Sequence, residues 1–89
     1  MKNLNKPPSA FNVFLVRDNF TPEEFIVNVV LDYFNVDKNT ALEVAKATRS
    51  LGQGLCGTYS MDVAFNKAKL VQDRARQEGH PLICFLEEV

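Results

Sequence analysis

Phe11-Asn12-Val13-Phe14-Leu15-Val16-Arg17-Asp18-Asn19-Phe20-Thr21-Pro22-Glu23-Glu24-Phe25 holds a strand, a turn and a helix start in one short stretch. Phe11 to Val16 are β-formers with one polar interruption at Asn12, and the run stops at the turn-like cluster Arg17-Asp18-Asn19. This reads as a central strand. Thr21-Pro22-Glu23-Glu24 then reads as a helix start, with Thr21 capping the free amides, Pro22 at the first helical position and Glu24 returning a bond as in a capping box. Phe25, Ile26, Val29, Val30, Tyr33 and Phe34 recur at spacings of one, three and four, which makes an apolar stripe on a helix ending near Phe34.

Downstream, Asp37 or Asn39 can cap a second helix through Ala41, Val44, Ala45, Thr48 and Leu51, with Gly52 as its left-handed stop. Leu55 to Tyr59 is a short strand, and Gly54 and Gly57 suggest a bulge or a close backbone neighbour. Ser60 is expected to cap a third helix that carries Asp62 in its first turn and buries Ala64, Ala68, Val71 and Ala75 until Gly79. Leu82 to Leu86 is a last apolar β run. The order β-α-α-β-α-β predicts an α+β two-layer sandwich, with helices on one face of a three-stranded antiparallel sheet. Upstream, the polar stretch with Pro7-Pro8 predicts an extended leader over residues 1–9, leaving 10–89 as the core domain.

With 89 residues the chain is short enough for one domain with one modest core, which excludes a multidomain enzyme. Hydrophobic residues at 46% and charged residues at 24% are ordinary globular usage, so the chain should fold. A formal charge of −1 gives no general attraction to nucleic acid or to an anionic membrane, and neither is expected as a partner. No apolar run approaches the ~20 residues that span a bilayer. Two cysteines and no signal-peptide pattern suggest a reduced, cytoplasmic protein.

The supply of catalytic groups is thin. His80, the only histidine, sits in Gly79-His80-Pro81 and is expected to close the last helical turn instead of acting as a base. Cys56 and Cys84 lie in apolar strands and read as small core hydrophobes; no metal site, cofactor or phosphate-binding glycine loop is expected. The basic residues of the third helix are interleaved with Asp73 and Glu78, as on a solvated face. An acidic residue beside a helix start, with the apolar second helix close by, could border a small pocket that reads one end of a peptide.

Several motifs are specific enough to compare with a known family. Lys6-Pro7-Pro8-Ser9, Val16, Asp18, Phe20-Thr21-Pro22, Glu24-Phe25, Gly52, Cys56-Gly57, Val63-Ala64, Lys67, Ala75-Arg76, His80-Pro81-Leu82, Cys84 and Leu86-Glu87 fall in order and without gaps. On these the sequence resembles ClpS, the adaptor that brings N-end-rule substrates to the AAA+ Clp protease. The resemblance implies the same fold, no enzymatic activity, and a pocket for the α-ammonium group and bulky side chain of an N-terminal residue (an N-degron). It implies Asp18 as the ammonium partner, with Arg17, Asn19 and Arg49 beside it. Leu15, Thr21, Glu23, Ile26, Ala45, Thr48 and Leu82 would form the hydrophobic pocket. It further implies that Asp62 and Lys67, both expected on exposed surface, contact the N-terminal domain of a Clp-type AAA+ unfoldase. The pattern departs at the pocket: the family has Asn at Arg17, Asp at Asn19, Met at Glu23, Met at Ala45 and His at Arg49. Arg donates only, so Arg17 and Arg49 would oppose an ammonium group unless they pair with Asp18 or Glu23. Two readings stand, an adaptor with altered selectivity and a regulator that docks on the unfoldase and inhibits or redirects it without binding N-degrons.

Overall fold

β1 (Phe11–Val16) lies at the centre of the sheet, flanked by β2 (Gln53–Tyr59) and β3 (Ile83–Glu88), with both pairings antiparallel. This computed structural model describes residues 10–89, so the leader expected over residues 1–9 lies outside the described residues. Strand alternation directs Val13 and Leu15 to one face, where both are fully buried. The other face carries Phe14 stacked on Phe85 at 5.2 Å between ring centroids, with Leu55 and Ile83 exposed. Three helices, α1 (Glu23–Phe34), α2 (Lys38–Leu51) and α3 (Met61–Gln77), complete the β-α-α-β-α-β order. The architecture is the α+β two-layer sandwich that the sequence pattern predicts.

The core joins Val13 and Leu15 to Phe25, Ile26, Val29, Val30 and Phe34 of α1, to Ala41, Val44 and Ala45 of α2, and to Ala64, Val71 and Ala75 of α3. Small residues on α2 allow β2 to approach closely. A Cβ at Gly54 would lie 2.4 Å from Thr48 Oγ1 and 2.5 Å from the Val44 carbonyl oxygen, so only glycine fits there. A bulge interrupts the β1–β2 register between Val13 and Phe14, whose partners are Gly57 and Leu55. Cys56 is thus the extra residue.

α2 begins and ends as expected: the Asp37 side chain accepts from the Thr40 amide at 2.8 Å, and Gly52 closes the helix at φ 91°. Leu51 departs from the expected stripe and is exposed. The start of α1 also differs from expectation. Pro22 occupies the cap position, Thr21 makes no capping bond, and the Phe25 and Ile26 amides turn to the Pro22 carbonyl instead. The Thr21 hydroxyl is engaged elsewhere, on Asp18. Ser60 precedes α3 without a side-chain cap bond. At the other end of α3, the His80 amide donates to the Ala75 carbonyl at 2.8 Å, and the His80 ring packs on Phe25.

Candidate functional site

Because β1 and β2 are antiparallel, Val16 at the end of β1 faces Gln53 at the start of β2, and only Gly52 separates Gln53 from the end of α2. The loop leaving β1 therefore emerges beside the C-terminal end of α2. The Arg17 amide fastens it there by donating to the Gly52 carbonyl at 2.9 Å. The same loop feeds the N-terminus of α1. A groove of about 810 Å³ opens where loop, α1 and α2 meet.

Asp18 organises the mouth of this groove. Its Oδ1 accepts from the Phe20 and Thr21 amides, each at 2.7 Å, and its Oδ2 accepts from the Thr21 hydroxyl at 2.7 Å. Burial alone pushes the carboxyl up, but the Thr21 hydroxyl and the Phe20 and Thr21 amides, helped by the charge of His80, outweigh it and hold Asp18 below its ordinary 3.8. A carboxylate offers about four acceptor positions, and three are filled. Among the described residues, one position on Oδ2 is left for an incoming donor.

The remaining charges are arranged unevenly. Arg49 pairs with Glu23 across the groove, joining α2 to α1, with Arg49 largely exposed and Glu23 partly so. Arg17 and Lys46 also line the groove, and among the described residues neither makes an ion pair or a side-chain hydrogen bond. Thr48 lines it too, but its hydroxyl is committed to the Val44 carbonyl at 2.8 Å. Phe20, Pro22 and Ile26 supply apolar surface, with Phe20 79% exposed at the rim.

The groove brings together Arg17, Asp18, Asn19, Thr21, Glu23, Ile26, Thr48 and Arg49 of the residues singled out from the sequence. Leu15, Ala45 and Leu82 are not on its surface; they are packed in the core, each at most 1% exposed. Leu82 is held from outside by Gln72, whose amide donates to the Leu82 carbonyl at 2.8 Å while its oxygen accepts from the Cys84 amide at 2.6 Å. Ile26 and Thr48 are the buried side chains that reach the groove. Lys46, Phe20, Pro22 and Ser50 also line it and were not anticipated. Helical spacing carries a signal for two of them, since Lys46 lies three and four residues before Arg49 and Ser50 on the same face of α2.

Away from the groove, Asp62 is exposed near the start of α3, as expected. Lys67 is not freely exposed. Its Nζ donates to the Tyr33 carbonyl at 2.6 Å and lies 5.6 Å and 5.0 Å from the Phe34 and Tyr59 ring centroids. α1 has no basic residue in its last turn, and Lys67 supplies the missing cation to its C-terminal carbonyls. Cys56 and Cys84 are free thiols; burial pushes both up, Cys84 to about 12. Among the described residues no group of His, Cys, Asp and Glu could hold a metal ion, and no helix is long and apolar enough to cross a membrane.

Residues 6–85 match the family described as ATP-dependent Clp protease adaptor protein ClpS. The ATP-dependent Clp protease adapter protein ClpS of Paraburkholderia xenovorans strain LB400 is 48% identical over 83 residues, 93% of this chain and 80% of that protein. The protein of the same name from Herminiimonas arsenicoxydans is 44% identical over 84 residues, 94% of this chain and 82% of its own. Among solved structures, Agrobacterium tumefaciens ClpS2 bound to L-phenylalaninamide superposes with a TM-score of 0.88 at 28% identity, covering 93% of this chain and all of that one.

Proposed function

The chain belongs to the ClpS family of Clp protease adaptors, an adaptor family and not an enzyme family, and from that premise we propose that its groove binds the N-termini of substrate proteins through their α-ammonium group. The observation that carries this reading is Asp18, a carboxylate held ionised by three donors, with one acceptor position at the groove mouth left open among the described residues. An ammonium group has three donors and no acceptor, so it complements such a site. The L-phenylalaninamide on the Agrobacterium relative supports it, since that molecule carries a free α-amine beside a bulky apolar side chain. Arg49 does not compete for Asp18, because Glu23 holds it.

In the same reading the protein delivers what it binds to a Clp-type AAA+ unfoldase and docks on that partner's N-terminal domain through the start of α3. Asp62 is exposed there between the exposed apolar residues Met61 and Val63, with Phe65 one turn on. Lys67 borders this surface and also braces α1. A second reading, a regulator that docks without taking N-termini, is favoured by Arg17 and Lys46, cations on the groove that make no ion pair among the described residues. Labelled peptides beginning with Leu, Phe, Tyr, Trp or Arg, each with an N-acetylated twin, separate the two. Binding that acetylation abolishes is the expected result. Binding that survives acetylation, or none with any peptide, rejects the adaptor reading.

A further inference from the structure

We propose that Arg17 and Lys46 form an anion-accepting subsite beside Asp18, so that this groove selects N-terminal peptides carrying Asp or Glu at the second or third position. The inference rests on the reading of the groove as an N-terminal peptide site. Three cations and two carboxylates line the groove. Glu23 and Arg49 neutralise one another across it, and a bound ammonium group neutralises Asp18. Arg17 and Lys46 are left, and both are free of ion pairs among the described residues. The occupied groove therefore carries two uncompensated positive charges next to the point where the peptide starts.

The geometry sets how far along the peptide this field is felt. Arg17 adjoins Asp18 in the loop, and its backbone is fixed to Gly52, so it stays beside the mouth. Lys46 shares one face of α2 with Arg49 and Ser50, a helical turn toward the N-terminus of that helix. An extended peptide advances about 3.3–3.6 Å per residue, so its second and third side chains lie within roughly 10 Å of the amino group. Unscreened charges act over that range in dilute salt. The 810 Å³ groove also lies high in the range of about 300–1,000 Å³ for clefts that take a whole small ligand, which leaves room for more than one peptide side chain.

Exposed pairs of this kind are individually weak, so two of them predict a preference of about two- to tenfold. The test uses fluorescence anisotropy on the full chain with three labelled peptides that begin Leu-Ala-Ala, Leu-Asp-Glu and Leu-Lys-Lys and are otherwise identical, at low and at high sodium chloride. The Leu-Asp-Glu peptide should bind tightest and Leu-Lys-Lys weakest in low salt, with the spread closing in high salt. In the double variant Arg17→Gln, Lys46→Gln the spread should vanish. Because the spread is a ratio measured within one sample, a fall in the folded fraction of the variant does not imitate it. Equal binding of the three peptides, a preference for Leu-Lys-Lys, or a spread that survives in the double variant overturns the proposal while leaving the N-terminal site intact. Failure of all three peptides to bind wild-type protein removes the underlying reading, and this proposal with it.

Discussion

Replacing Asp18 by Asn probes the groove most sharply, because it changes one charge and one acceptor while keeping the shape. The remaining side-chain oxygen can still accept from the Phe20 and Thr21 amides, which Oδ1 now does at 2.7 Å. The new amide nitrogen takes the place of Oδ2, and the Thr21 hydroxyl can rotate to accept from it instead of donating. The loop therefore keeps its three bonds, with loss of charge assistance, and unfolding should cost no more than about 1–2 kcal/mol less. Peptide binding fares worse, since a donor now faces the ammonium group where an acceptor stood. A charge-assisted bond is worth about 1.5–3 kcal/mol, which corresponds to a loss of roughly 10- to 150-fold in affinity. Anisotropy with a Leu-starting peptide reads the binding, and thermal unfolding reads the fold. The pH dependence is a second readout of the same carboxylate. Its pKa is depressed in the folded state below the ordinary 3.8, so the stability it contributes is present above that value and is lost as pH falls through the folded pKa. Wild-type binding should accordingly hold level down to about pH 4, fall below it, and also fall above about pH 8 as the peptide's α-amino group deprotonates. Binding by Asp18→Asn within about threefold of wild type, with the same sensitivity to N-acetylation, would refute Asp18 as the reader of the amino group.

Lys67→Met should lower stability by about 1–2 kcal/mol, a drop of roughly 5–15 °C in Tm, because it strips the Tyr33 carbonyl of its donor and removes the cation between Phe34 and Tyr59; a Tm unchanged within 2 °C or so would contradict the bracing role. Asp62→Lys, on exposed surface, should leave the unfolding free energy within about 0.5 kcal/mol of wild type and weaken capture by the N-terminal domain of a Clp unfoldase; full capture would take Asp62 out of the contact. Gly54→Ala should destabilise by about 1–3 kcal/mol in chemical denaturation, since its methyl group would meet the Val44 carbonyl and Thr48 at contact distances no relaxed structure holds. Cys56 and Cys84 should resist a thiol reagent at pH 8 and react fully in denaturant, because burial keeps both protonated; rapid labelling of the native protein would show the strands to open.

What could be read in advance follows the range of the interactions. The alternation of Val13 and Leu15, the Asp37 and Gly52 brackets around α2, and the glycines that permit the β2 approach are all local, and residues a few positions apart decide them. Thr21 marks where local reading fails even at short range. Its hydroxyl had two roles within reach, accepting from the first free amides of α1 or donating to the Asp18 carboxylate; the cap position falls one residue later, on Pro22, and the hydroxyl makes the charge-assisted bond. Sequence pattern does not rank those two. Lys67 and Tyr33 stand 34 positions apart and Arg49 and Glu23 stand 26 apart, so both contacts exist only after the helices have packed. The groove's charge was hidden for the same reason. A chain of net charge −1 gathers Arg17, Lys46 and Arg49 against two carboxylates at one place, because an antiparallel pairing sets the end of β1 beside the last turn of α2. Whether those arginines oppose or tolerate an ammonium ligand depends on which carboxylate each one reaches. Glu23, lying opposite Arg49 on α1, keeps Arg49 off Asp18, so that in the proposed reading the surplus positive charge of Arg17 and Lys46 falls to whatever follows the first residue of a bound chain.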